Sequence, residues 1–382
     1  MSKIRDSLSA TPIMHRLIGA AIALACNSGP ALAQDAWVVG QSAPLTGGNA
    51  ALGRDIRDGA LAYFKMVNAR GGVAGKPVEL VTLDDANDRK TAGANTTKLL
   101  AERRPVALFG YASATLSLDA MPQAEKAGVL FFAPLSGADP VRKAPPVVYT
   151  MRASYGEEME KILAFWTGFG MKKVVVVHYD DEVGKQNFAV VADYLSKHSG
   201  TAPAALALKR NQPVEESHID RLREAKPDVI INTTLSGAAA EVSKRLAKRG
   251  TFVPMSSLSF VGAQQYIEAA GEASAGVSIA QVVPNPSSNL PIVRECAKAL
   301  ADSGVTRVMN STHLEACIGA KVLTEAMRRS KKPGDPAALL AAMGSLGSYD
   351  TGGFVVSYGA SRRHGSSYVD LGMVTRDGKL RS

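Results

Sequence analysis

The sequence predicts an α/β protein of two similar lobes, each a largely parallel sheet with helices on both faces. Strand and helix signals alternate along the chain, the same grammar returns in its second half, and 382 residues suffice for about two domains. Hydrophobic residues make up 46% and charged residues 21%, which excludes a disordered tail protein, a collagen-like repeat and a multi-span membrane protein. Lysine and arginine number 44 against 35 acidic residues, a net +9, but no run of five basic residues occurs. Nucleic acid is not an expected partner, because a phosphate backbone needs positive charge gathered on one stripe.

Residues 1–33 read as a secretory signal. Lys3, Arg5 and Arg16 precede a nine-residue apolar run at 17–25, and Ala31-Leu32-Ala33 fits the small-residue cleavage rule. The run is far shorter than the roughly 20 residues that span a bilayer. A rival is a lipid anchor on Cys26, although Ala23 stands where such signals usually carry leucine.

Beyond the signal, residues 37–40 form a short apolar strand. Ile56, Ala60, Phe64 and Val67 then recur at helical spacing until Arg70-Gly71-Gly72 ends the helix. Strands follow at 78–83, 106–110, 129–133 and 147–152, separated by helices at 89–103 and 115–126. The second half places helices at 157–169, 184–198 and 237–249 around strands at 173–178 and 228–232. Gly53 and Gly184 occupy equivalent places in the two halves, each after a strand and a polar loop. In open α/β sheets ligands bind beyond the carboxyl ends of the strands. The candidate loops are therefore 41–53, 110–115, 134–137, 179–184, 233–237 and 256–260.

Enzyme motifs fail. The first strand turns through Gly40-Gln41-Ser42-Ala43-Pro44, with no GxGxxG to cradle a pyrophosphate. Gly71-Gly72-Val73-Ala74-Gly75-Lys76 is too short for a phosphate loop, and Pro77 replaces the Ser or Thr. No GxSxG, CxxC or HExxH occurs, so no catalytic residue, cofactor or metal is expected. Cys296 and Cys317 remain after the signal, and the sequence leaves open whether they pair or stay buried thiols.

An ordered set of segments resembles the type I periplasmic solute-binding proteins of the branched-chain amino acid group. It opens with Gly40-Gln41-Ser42-Ala43-Pro44-Leu45-Thr46-Gly47, Gly59-Ala60, Val67-Asn68-Ala69-Arg70-Gly71-Gly72-Val73 and Asp84-Asp85. It continues with Phe109-Gly110-Tyr111-Ala112-Ser113, Ala127-Gly128-Val129, Ala133-Pro134 and Lys226-Pro227-Asp228. The resemblance implies two Rossmann-like lobes joined by three crossovers, placed here near Ala153, Val282 and Tyr358. The lobes then comprise 34–152 with 283–357, and 153–282 with 358–382. It also implies a periplasmic receptor, acting as a monomer, that hands a small amino acid or carboxylate to an inner-membrane ABC permease. A sensor for a membrane kinase and a periplasmic amide or ester hydrolase are the alternatives.

The loop Tyr111-Ala112-Ser113-Ala114-Thr115 runs from a strand into a helix, where free N–H groups favour an anion. The resemblance implies that Ser113, Ala114 and Thr115, with Leu135, Ser136 and Gly137, hold the carboxylate and amine of an amino acid. Ser113 or Thr115 as a simple helix cap is the alternative. Where the family commonly places aromatics, Leu52, Val183 and Leu235 stand, and Leu258 replaces the acid that would meet a ligand ammonium. An ammonium buried without an acid costs several kcal/mol, so a carboxylate with an apolar body and no amine stands beside the amino acid that the resemblance implies. Asp181 is the nearest substitute acid, with a solvated surface residue as its plainer reading. Asp84-Asp85 is read as the cap of the following helix, Trp166 as core, and Arg362-Arg363-His364 as a solvated turn.

Overall fold

The computed structural model describes residues 36–47, 49–210 and 212–381, so the signal and Cys26 lie outside the described residues. The first sheet contains β1 (Trp37–Ala43), β2 (Val78–Asp84), β3 (Ala107–Phe109), β4 (Leu130–Phe132) and β5 (Val148–Tyr149). Its order is β2-β1-β3-β4-β5 and every pair is parallel. Between these strands run α1 (Ala50–Ala69), α2 (Arg89–Lys98), α3 (Ala114–Ser117), α4 (Met121–Ala127) and α5 (Asp139–Arg142). Ile56, Ala60, Phe64 and Val67 all bury on the inner face of α1, as their spacing requires.

After the first crossover come α6 (Tyr155–Gly168), β6 (Val174–Tyr179), α7 (Glu182–Ser199), β7 (Ala204–Leu208), α8 (Glu216–Ala225) and β8 (Val229–Asn232). Then follow α9 (Ser236–Lys248), β9 (Met255–Ser257), α10 (Ala263–Ala270) and β10 (Ser278–Gln281). Strand β6 is buried throughout, the mark of a parallel strand covered on both faces. The chain returns to the first lobe as α11 (Pro291–Asp302), α12 (Ser311–Arg329), α13 (Pro336–Gly344) and the hairpin β11 (Gly347–Asp350) and β12 (Val355–Tyr358). It crosses a third time to β13 (Asp370–Val374) and β14 (Leu380–Arg381), which join the second sheet antiparallel. That sheet has the order β14-β13-β10-β9-β8-β6-β7. Two mostly parallel sheets, three crossovers and helices around each make the two-lobed α/β class that the sequence predicts.

The repeated glycines have one physical cause. A Cβ on Gly53 would stand 1.8 Å from the Pro44 carbonyl oxygen, and one on Gly184 would stand 1.9 Å from that of Tyr179. In both lobes the first helical turn lies directly against the end of the preceding strand, and only glycine fits there.

Several local expectations are corrected. The single helix expected at 115–126 is two, α3 and α4, because Pro122 cannot sit inside a helix and instead occupies the first turn of α4. Asp88, not Asp84 or Asp85, caps α2 by accepting from the Thr91 amide at 2.8 Å. Asp84 instead binds the Leu45 and Thr46 amides, and Asp85 the Ser42 hydroxyl and the Asn87 amide. The turn expected to be solvated is exposed at Arg362 but half-buried at Arg363 and His364. Arg363 Nη1 donates to the Ala144, Pro145 and Val148 carbonyls, and His364 Nδ1 lies 3.0 Å from the Thr150 hydroxyl. Cys296 and Cys317 form a disulfide between α11 and α12, with Cα atoms 6.0 Å apart. Trp166 is core, its indole N–H donating to Ser256 Oγ at 2.6 Å.

Candidate functional site

Two small adjoining cavities lie at the carboxyl ends of the strands, between the lobes, with Phe260 in the wall of both. The outer one, about 30 Å³, is lined from the first lobe by Ser113, Ala114 and Thr115. Tyr179, Val183, Asn187, Arg210, Thr233 and Leu235 are among its second-lobe walls. The inner one, about 10 Å³, is lined by Leu52, Ala112 and Leu135 with Arg152, Gln281 and Glu315. A larger groove of about 470 Å³ beside the exposed Phe252 meets β9 and β10 at their amino ends, the wrong end for a ligand in this architecture.

Of the expected residues, Leu52, Ser113, Ala114, Thr115, Leu135, Val183 and Leu235 line a cavity. Tyr111, Ser136, Gly137, Asp181 and Leu258 do not. Tyr111 is wholly buried, its hydroxyl 2.7 Å from Thr96 Oγ1. Leu258 is buried in the apolar core with Tyr155 and Met159. Ser136 Oγ donates to the Tyr155 hydroxyl and accepts the Ala138 amide, and the Gly137 carbonyl accepts the Tyr155 amide. These bonds fix the start of α6. Ser113 caps α3 by accepting from Leu116 N at a long 3.3 Å, so capping uses the hydroxyl only weakly. Helix α3 has four residues, and its dipole is correspondingly small.

Asp181 is half-buried, with its side chain 32% exposed, and both of its oxygens are already engaged. Its Oδ1 accepts the Gly184 amide at 2.8 Å, capping α7. Its Oδ2 accepts Nε and Nη2 of Arg210 at 3.0 and 2.6 Å. The guanidinium of Arg210 also lies 4.1 Å over the Tyr179 ring.

The inner cavity ends on a buried ion pair. Arg152 donates Nε and Nη2 to the two carboxylate oxygens of Glu315 at 2.8 and 2.6 Å, with side chains 2% and 6% exposed. Arg152 Nη1 is buried without a hydrogen-bond partner. Nearby, Glu158 accepts the Ser259 amide and hydroxyl at 2.7 and 2.8 Å. Burial pushes its carboxyl up to about 7, against the opposing pull of Arg152 and Ser259. Burial likewise pushes the Tyr155 hydroxyl up to about 12.

Arg152, Asn187, Arg210, Gln281 and Glu315 are among the polar lining residues that sequence reasoning missed, with Tyr155, Ser311 and Thr312. Arg210 follows β7, a strand whose Ala-Ala-Leu-Ala-Leu run carries no β-branched signal. Glu315 lies inside α12 and meets Arg152 across 163 residues. The site offers hydroxyl, amide and guanidinium donors beside aliphatic walls, with each neighbouring carboxylate already bonded. Among the described residues no cluster of His, Cys, Asp or Glu could hold a metal ion, and no helix is long and apolar enough to cross a membrane.

The family model described as periplasmic binding protein matches residues 36–379. A Leu/Ile/Val-binding protein homolog 7 of Brucella abortus is 25% identical, with 96% of this chain and 95% of that protein covered. The chain spans just over half, 58%, of an amino acid binding protein of Pseudomonas aeruginosa, to which it is 23% identical over 56% of its own length. Among solved structures, a substrate-binding periplasmic protein from Ralstonia solanacearum is 30% identical with a TM-score of 0.85, covering 91% of this chain and 99% of that one. These relatives are binding proteins and not enzymes.

Proposed function

Because the chain belongs to the periplasmic binding protein family, in its branched-chain amino acid group, we propose that it captures a small amine-free carboxylic acid and delivers it to an inner-membrane ABC permease. It is a solute-binding receptor and not an enzyme. The periplasm is its place of work, and it acts as a monomer that opens and closes about crossovers near Ala153, Val282 and Tyr358. The carboxylate meets the Ser113 and Thr115 hydroxyls, and the apolar body lies against Val183, Leu235 and Phe260.

The observation that carries this reading is the state of the acids around the cleft. An ammonium needs a carboxylate or several acceptors to replace its water. Leu258 is core, Asp181 is held by Gly184 and Arg210, and Glu315 is held by Arg152. Glu158 is engaged by Ser259. What faces the cleft is the Arg210 guanidinium among hydroxyls and amides that can also donate, with no unengaged carboxylate, which suits an anion.

A thermal-shift screen of the protein against amino acids, their deaminated acids, aromatic acids and small amides tests it. A ligand at a hundred times its Kd adds about 2.7 kcal/mol to the folded state, enough to move the melting temperature visibly. Stabilisation by the deaminated acids and not by leucine, isoleucine or valine is expected. Stabilisation by those amino acids alone overturns the amine-free reading.

A further inference from the structure

We propose that Arg210 is the specificity-determining residue of the second lobe, donating from Nη1 to the same ligand carboxylate that Ser113 and Thr115 hold from the first. The inference rests on the carboxylate reading above and goes further, by making one guanidinium responsible for selecting an acid and for joining it to both lobes.

Three observations converge on this residue. The first is position: Arg210 lines the outer cavity together with Ser113 and Thr115. That cavity has room for about two water molecules, which is the size of a carboxylate head. Ser113 and Thr115 of the first lobe and Arg210 of the second thus border one space.

The second is preorganisation. Asp181 takes Nε and Nη2, and the Tyr179 ring lies beneath the guanidinium plane at 4.1 Å. An arginine fixed on one edge and one face loses little further freedom on binding, and it presents its remaining edge in a set direction. Nη1 makes no hydrogen bond among the described residues, whereas both other nitrogens do.

The third is selectivity. Asp181 has one oxygen on the α7 cap and the other on Arg210, so its charge is balanced by the guanidinium while Nη1 keeps its hydrogens for a ligand. A carboxylate gains a charge-assisted bond there, an amide gains a weaker one, and an ammonium meets like charge. Asn187 and Thr233, in the same walls, can bond to further oxygens on the ligand body.

The test is calorimetric titration of 4-methylpentanoate, its amide 4-methylpentanamide and leucine into the wild type, Arg210→Met, Arg210→Lys and Ser113→Ala/Thr115→Ala. Methionine keeps the apolar stem against Tyr179 and removes the guanidinium. Wild type is expected to bind the acid at least about tenfold more tightly than the amide or leucine, the scale of one bond to a charged group. Arg210→Met should lose about tenfold or more for the acid and little for the amide, with Arg210→Lys between. Melting curves of the free variants show whether each is folded, and a ligand-selective loss in a folded variant cannot come from misfolding. If Arg210→Met keeps wild-type affinity while Ser113→Ala/Thr115→Ala weakens the acid, the role of Arg210 is overturned and the carboxylate reading stands. Preference of the wild type for leucine overturns both. Absence of binding by 4-methylpentanoate, 2-hydroxy-4-methylpentanoate and benzoate alike also overturns both.

Discussion

The residue with the least comfortable environment is Glu158, a wholly buried carboxyl facing the Arg152–Glu315 pair. Its carboxyl rises from an ordinary 4.5 to about 7, chiefly through burial. In this window the folded state holds a proton that the unfolded state has released. The contribution of Glu158 is therefore full below about pH 4.5 and is lost as pH rises through about 7. Glu158→Gln keeps an acceptor for the Ser259 amide and removes the titration. Its melting temperature is expected to fall less than that of the wild type between pH 5 and 8, and parallel curves would assign the buried charge elsewhere. Ser113 gives the complementary case. Its cap bond is long, so Ser113→Ala is expected to cost at most about 1 kcal/mol of stability by melting. At this scale the sequence showed hydroxyls and aliphatic walls, because loop position after a strand is a local property. It did not show Arg152 with Glu315, or Arg210 with Asp181, because those pairs exist only once distant segments meet.

Elements are held to one another by a few bonds whose strength depends on conditions. The first and third crossovers run side by side, with the Thr150 amide donating to the Arg363 carbonyl and the Gly365 amide to the Thr150 carbonyl. His364 sits in this seam, its pKa depressed to about 4 by burial and by Arg142 and Arg363. Between about pH 6.5 and 4 the unfolded chain binds a proton that the folded chain refuses, so stability is lost as pH falls through that range. His364→Asn can still bond the Thr150 hydroxyl and should flatten the acid side of the melting profile; an unchanged acid limb would show that His364 does not set it. The Cys296–Cys317 bridge ties α11 to α12 across 21 residues, a closure worth about 3 kcal/mol in the chain-entropy model. Reduction, or Cys296→Ala with Cys317→Ala, is expected to lower the melting temperature by several degrees; no change would mean that packing alone holds the helix pair. Strands such as β6 were legible because four successive valines have few other uses. The break between α3 and α4 was legible only through Pro122, which helical periodicity overrode, and the fate of the two cysteines depended on a helix pairing that no local pattern encodes.

At the scale of the whole molecule the question is what keeps the lobes together. The cavities between them are small, about 10 and 30 Å³, so on the proposed function a ligand is expected to enter as the lobes part. Away from the crossovers the lobes are joined by Gln265 of α10, whose Nε2 donates to Asp55 of α1 at 2.5 Å. Asp55 is 1% exposed and is held from its own lobe by Asn310 Nδ2 at 2.7 Å and by Arg307, so its carboxylate stays bonded when Gln265 leaves. Gln265 fares differently, because its Oε1 is buried without a partner and regains water on opening. The latch is thus one charge-assisted bond set against two buried acceptors without hydrogen bonds, Gln265 Oε1 and Asp55 Oδ1, the latter beside the Arg307 and His313 side chains, a balance that ligand contacts can tip either way. Gln265→Ala removes the bond and the unsatisfied oxygen together while leaving the arginine and asparagine on Asp55. If the bond outweighs the penalty by about 1 kcal/mol, the variant free of ligand shifts toward open forms and binds ligand about fivefold more weakly. Small-angle scattering would then give a larger radius of gyration for the variant than for the wild type, and both should converge at saturating ligand. A variant with the same radius and a tighter Kd would show the reverse balance, in which the buried oxygen of Gln265 spends part of the closing energy to keep the cleft ready to reopen.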